Sequence, residues 1–133
     1  MAKSGGCQCG AVRYEFEGEP AHNAVCHCTD CRAAAGAPMV TWLAVKEDQF
    51  HLQQGELTTY NGKNGAERQF CPTCGTGLFY RNAGMLPGIV DIQSATLDDA
   101  AAMPPGAQIQ VAERLPWMKD LAALPEFERY PGA

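Results

Sequence analysis

Residues 11–17, AVRYEFE, alternate along the chain. Val12, Tyr14 and Phe16 are apolar, while Arg13, Glu15 and Glu17 are polar. A period of two places the apolar set on one face of an extended backbone, so the stretch predicts a half-buried strand. Further strand-like runs are PMVTWLAV (38–45), FHLQ (50–53), LTTY (57–60), ERQF (67–70), GLFYR (77–81), GIVDIQ (88–93) and QIQVA (108–112). Turn residues separate many of them: Gly18-Glu19-Pro20, Gly55, Asn61-Gly62, Asn64-Gly65 and Pro87-Gly88. One short helix is expected at 29–35, with Thr29 or Asp30 as its cap and Gly36 as its stop. A second is expected at 117–123. The pattern predicts a mainly β chain with regular turns and little helix. The Pro-rich tail, LPWMKDLAALPEFERYPGA at 115–133, is expected to wrap the surface or to meet a partner chain, which leaves a homodimer open.

The chain has 133 residues, which fits a single domain over 1–133. At that length roughly two-thirds of the unfolded surface can be buried, so a core forms without added staples. Ten Lys and Arg stand against fifteen Asp and Glu, for a formal charge of −5, and no three cations are adjacent. Phosphate binding needs clustered cations, so nucleic acid is not an expected partner. No apolar run approaches the roughly 18 residues that cross a bilayer, so no membrane partner is expected either. The opening MAKSGGCQCGAV lacks an apolar secretory core, and the expected compartment is the cytoplasm.

Seven cysteines change the picture. The number is odd, and disulfides are rare in a reducing compartment, so metal is favoured over redox chemistry and over structural bridges. They fall into three groups: Cys7-x-Cys9, Cys26-x-Cys28-x-x-Cys31 and Cys71-x-x-Cys74. In an extended segment residues i and i+2 share a face, so Cys7 and Cys9 offer both sulfurs to one ion. The same spacing pairs Cys26 with Cys28 and turns His27 away. In CPTCG, Pro72 presets a turn that Gly75 closes with a positive φ. Two such pairs make a closed site of four thiolates, Cys7, Cys9, Cys71 and Cys74, of the structural zinc type. Cys26, Cys28 and Cys31 remain: three ligands and a vacant position, the form of a catalytic zinc site. The other division joins this trio to one outside cysteine and leaves a poor second site. Three thiolates make zinc a weak Lewis acid, better suited to holding a soft thiol as thiolate than to making hydroxide.

The stretches GGCQCGAVRYEFEG, CHCTDCRAAAGAPMVTW and FCPTCGTGLFY resemble the glutathione-dependent formaldehyde-activating (GFA) family, which includes centromere protein V. The resemblance covers roughly residues 4–117. It implies a β-tent fold of several short antiparallel sheets around zinc, of the kind shared with type B methionine sulfoxide reductases. It also implies two zinc ions, a structural one at Cys7, Cys9, Cys71 and Cys74 and a catalytic one at Cys26, Cys28 and Cys31. The implied reaction is a carbon–sulfur lyase or transferase step on a small-molecule thiol such as glutathione, which adds to formaldehyde or a related small electrophile. Relatives often carry a histidine near the segment where this chain has Gln108 and Gln110.

Other residues are weighed beside the cysteines. Arg32 is a candidate for meeting a substrate carboxylate, against a solvated helix residue. Trp42 is a candidate pocket wall, against ordinary core. His27 is a candidate acid or base near the trio, against a surface or supporting role. Asp30 is expected to cap the helix. His22 and His51 are expected at the surface, and Tyr14, Phe16, Phe79 and Tyr80 in the core. Three functional readings follow: a zinc-dependent thiol-activating lyase, a non-catalytic zinc module that binds a partner, and a redox enzyme. The last lacks an isolated cysteine as nucleophile once the outer pairs are committed to metal.

Overall fold

Val12, Tyr14 and Phe16 are buried in the core, as their alternation requires. The computed structural model describes residues 2–132. Strands β1 (Lys3–Gly6), β2 (Arg13–Phe16) and β3 (His22–Cys26) lead into helix α1 (Thr29–Ala35). Next come β4 (Val40–Lys46), β5 (Phe50–Gln54), β6 (Thr58–Asn61), β7 (Glu67–Phe70), β8 (Gly77–Arg81), β9 (Ile89–Gln93) and β10 (Ala107–Ile109). The chain is mainly β and forms two open sheets. One has the order β1-β2-β5, the other β10-β3-β4-β9-β8-β7-β6. Within them every pairing is antiparallel except β10 against β3.

The larger sheet works with both faces. One packs Leu43, Val45, Phe79, Val90 and Ile92 against Tyr14 and Phe16 of the smaller sheet. Each large side chain buried there is worth roughly 1.5–3 kcal/mol. Tyr14 meets Phe79 edge to face at 5.1 Å, and its hydroxyl bonds Thr96 Oγ1 at 2.7 Å. The other face carries a smaller cluster of Cys26, Cys31, Val40 and Trp42, with Tyr80 against it. Register explains this division. Arg68, Tyr80, Asp91, Ala44 and His22 are successive partners across β7, β8, β9, β4 and β3, so they form one row on that second face.

Several elements differ from the hydrophobic pattern. Residues 117–123 lie in a 3-10 segment, Pro116–Ala123, rather than an α-helix. Asp120 leaves helical geometry at φ −112°, and Leu124, held extended before Pro125, ends the segment. The strand expected at 108–112 stops at Ile109, because Gln110 has φ +56°. Strands β1 and β3 were not expected. The KSGG of β1 has no alternation, and it pairs with β2 because Gly5 lets Tyr14 approach: a Cβ there would lie 2.5 Å from Tyr14 Oη. Tyr80 lies on the trio's face instead of in the main core. Leu115 and Trp117 border a groove beside α1, while Leu124, Phe127 and Tyr130 are exposed. Among the described residues, no helix is long and apolar enough to cross a membrane.

Candidate metal centres

The loop after β1 and the β7–β8 connection bring Cys7, Cys9, Cys71 and Cys74 together, with all four sulfurs within 4.8 Å of one another. Cys7 Sγ lies 3.6 Å from Cys9 Sγ, which lies 3.8 Å from Cys71 Sγ. A tetrahedral zinc with Zn–S near 2.3 Å requires sulfurs about 3.8 Å apart, whereas a disulfide requires about 2.05 Å. The donor set therefore fits zinc. Backbone amides support it: Val12 donates to Cys7 Sγ at 3.2 Å, and Thr73 and Cys74 both donate to Cys71 Sγ at 3.4 Å. The Thr76 hydroxyl lies 3.2 Å from Cys74 Sγ. That contact leads the causes that bring the Cys74 thiol down to about 5. Gly75 has φ +81° and its amide reaches the Cys71 carbonyl at 2.9 Å, closing the CPTCG turn as its composition requires. The Cys7–Cys9 pair departs from expectation. It sits in a turn closed by the Gly10 amide on the Cys7 carbonyl at 3.1 Å, and not in an extended segment.

The second cluster is built by the end of β3 and the first turn of α1. Cys26, Cys28 and Cys31 offer sulfurs within 4.8 Å of one another, with Cys26 and Cys31 3.8 Å apart. Cys28 is itself the helix cap: its sulfur accepts from the Cys31 amide at 3.2 Å. Thr29 and Asp30, the expected caps, fall inside the helix. The Thr29 amide is taken instead by Glu113 Oε1 at 2.8 Å. Gly36 ends the helix at φ +62°.

Sulfurs this close cannot all ionise unless a cation lies among them. Hydrogen bonding from Cys26, then Cys28, Trp42 and Arg68, pulls the Cys31 thiol down to about 5 against the effect of burial. Cys26 is pushed far up, chiefly by Cys31 and then by burial. Burial also raises Cys28. The three sulfurs thus compete for ionisation, a conflict that a divalent ion among them would remove.

Beside Cys31 lies a cavity of about 330 Å³ walled by Trp42, Arg68, Phe70 and Gln93. Trp42, 6% exposed, belongs both to the buried cluster and to this wall. Arg32 is placed elsewhere. Its guanidinium reaches the His27 carbonyl and the Glu113 carbonyl at 3.3 Å and Thr29 Oγ1 at 3.2 Å, tying α1 to the chain after β10. His27 is buried, not superficial. Its Nε2 meets Gln108 Oε1 at 2.9 Å, and its Nδ1 has no partner among the described residues. His51 pairs with Glu17 at the surface, and His22 is exposed. Arg68 and Gln93 were missed in the sequence. Both lie on strands read correctly, but nothing local to ERQF or GIVDIQ marks a side chain facing a distant cysteine.

Two open sheets carrying two thiol clusters, each able to hold a metal ion, define a mainly β protein. A sequence profile described as "Glutathione-dependent formaldehyde-activating enzyme" matches residues 2–113, and the chain belongs to that family. It is 28% identical over 76 residues to an uncharacterized lyase of Schizosaccharomyces pombe, a match covering 57% of this chain and 55% of the relative. The chain thus aligns with about half the length of that curated relative. Its fold resembles a crystal structure of a Rhodobacter sphaeroides protein, with a TM-score of 0.63 at 24% identity over 79% of this chain and 98% of the other.

Proposed function

We propose that the protein is a zinc-dependent carbon–sulfur lyase or transferase that activates a small thiol of the glutathione type at Cys26, Cys28 and Cys31. One observation carries the reading: the trio offers three sulfurs, and the space beside Cys31 is a cavity rather than a fourth ligand. Three protein ligands and an accessible position are the arrangement of reactive zinc sites, whereas the closed quartet of Cys7, Cys9, Cys71 and Cys74 is a structural one. Bound zinc supplies the charge that keeps an incoming thiol ionised near neutral pH.

The chain's own residues do the rest. Cys28 and the Cys31 amide fix the trio on α1, and Trp42 and Phe70 wall the approach with apolar surface. In the addition direction the substrate sulfur attacks the carbonyl carbon of formaldehyde or a related small aldehyde. The C=O π pair moves to oxygen, which takes a proton from solvent as the C–S bond forms. The lyase direction reverses each step. Family membership and the lyase relative support this reaction class. Seven unpaired thiols suit a cytoplasmic setting.

Metal analysis combined with thiol titration of the cobalt-substituted protein tests the reading. Two metals per chain are expected, with glutathione shifting the cobalt–thiolate bands of one site only. Two metals whose spectra ignore every added thiol would instead make this a non-catalytic zinc module.

A further inference from the structure

Arg68 stands apart from the other well-placed arginines. Arg13 holds Asp98 at 2.5 and 3.0 Å, Arg81 holds Glu47 and Gln69, and Arg32 holds three acceptors. The Arg68 side chain is only 17% exposed, yet its nearest partners are distant: Asp30 Oδ2 at 3.8 Å and Cys31 Sγ at 3.9 Å. Its guanidinium lies over the Tyr80 ring, 5.0 Å from the centroid, which fixes its plane. A guanidinium has five donors in a rigid fork, so most of these remain uncommitted.

Those donors sit where two cavities meet. The cavity of about 330 Å³ beside Cys31 and a second of about 500 Å³ share Arg68, Ala34 and Phe70. The second runs between α1 and the β6–β7 hairpin, and Lys63 borders it. A molecule whose sulfur is at the trio therefore extends past Arg68 toward Lys63. Its charge matters at this point. Three thiolates already outweigh a divalent ion by one unit, and a fourth thiolate makes the centre more negative, so an acidic thiol is repelled unless a cation faces it. Asp30, the only acid within 4 Å of Arg68 among the described residues, is 80% exposed and paired loosely enough to be displaced.

We propose that Arg68 is the specificity-determining residue of this site, selecting thiols whose carboxylate lies beyond the sulfur-bearing residue, as in a cysteinylglycine, by forking onto that carboxylate. This rests on the reading of the trio as an open thiol site. The test compares N-acetylcysteinylglycine with its neutral C-terminal amide by calorimetric titration of the zinc-loaded protein. The wild type should bind the carboxylate at least tenfold more tightly, and rising salt should erode the preference. Arg68→Gln should weaken carboxylate binding about tenfold or more, as expected for a hydrogen-bonded charge, and change amide binding less than twofold, with zinc content unaltered. Asp30→Asn, a change at an exposed position, should tighten carboxylate binding and leave the amide alone. Equal affinity of the wild type for the two thiols, or equal losses for both in Arg68→Gln, overturns the Arg68 assignment while leaving thiol activation standing. Failure of the wild type to bind either thiol overturns both readings. Should Arg68→Gln lose zinc, the wild-type preference, its salt dependence and Asp30→Asn decide the matter.

Discussion

The Cys31 amide donates to Cys28 Sγ at 3.2 Å, so one sulfur is both helix cap and candidate metal ligand. The two roles separate chemically. A serine hydroxyl is among the best caps but a poor zinc ligand. Cys28→Ser should therefore lower bound zinc from two to one per chain while α1 stays formed. Cys28→Ala should lose the same zinc and about 1 kcal/mol more, since the Cys31 amide then has no acceptor. Metal analysis and chemical denaturation of the two variants check this. Equal stability of the pair would mean that the cap contributes nothing.

Loss of a quartet ligand should act on the whole molecule. Cys71 is fully buried in the main core and accepts two backbone amides, so its sulfur joins the β7–β8 connection to the loop after β1. Metal binding at such a site is folding free energy. Cys71→Ser should abolish the cooperative thermal transition, whereas Cys31→Ser should keep it and lose only the second ion. Circular dichroism melts with parallel zinc counting distinguish the outcomes; a Cys71→Ser protein that melts like the wild type would contradict the structural role.

The strands that alternate in sequence are the strands that form, because burial on one face of a sheet leaves a period of two in the residues themselves. Tyr14 and Phe16 were legible for that reason, and so were the three cysteine groups, since ligand spacing is a local property; the division into four and three came from counting ligands and from the family resemblance. What was not legible depends on partners far along the chain. Gly5 and Gly6 make a strand only because Tyr14 and Arg13 need close approach. Cys28 caps α1 in place of Thr29 or Asp30 because β3 delivers it in extended geometry at φ −65°, ψ 148°. Arg68 reaches Cys31 across 37 positions, through a register set by β7, β8 and Tyr80.

His27 and Gln108 form a second such long-range pair. His27 is 1% exposed, and the 2.9 Å bond from its Nε2 to Gln108 Oε1 is its one side-chain hydrogen bond among the described residues. Gln108→Ala leaves a buried imidazole without any partner, which should cost about 1–3 kcal/mol. Gln108→Glu keeps an acceptor and should recover most of that loss. Urea unfolding measures both. A Gln108→Ala protein within a few tenths of a kcal/mol of the wild type would show that the pair is not holding β10 to β3.

Asp91 gives the fold a pH dependence of definite sign. It lies on the trio's face of β9, where burial raises its carboxyl to about 6 from 3.8 against the opposing pull of His22, with a smaller push from Cys31. Between those values the folded protein binds a proton that the unfolded chain has released, so stability falls as pH rises through that window and levels off above about 6. A shift of about two units corresponds to about 2–3 kcal/mol. His22 opposes the shift more than the Cys31 charge adds to it, and a zinc ion at the trio would offset that charge, so burial carries the effect. Asp91→Asn cannot ionise. It should therefore be more stable than the wild type at pH 7, by up to that amount, and the two should converge near pH 4. Denaturation of both zinc-loaded proteins at a series of pH values tests the sign directly: a gap that widens toward low pH would mean that Asp91 is stabilised as its anion, and that the face of the sheet around the trio is more polar than its packing implies.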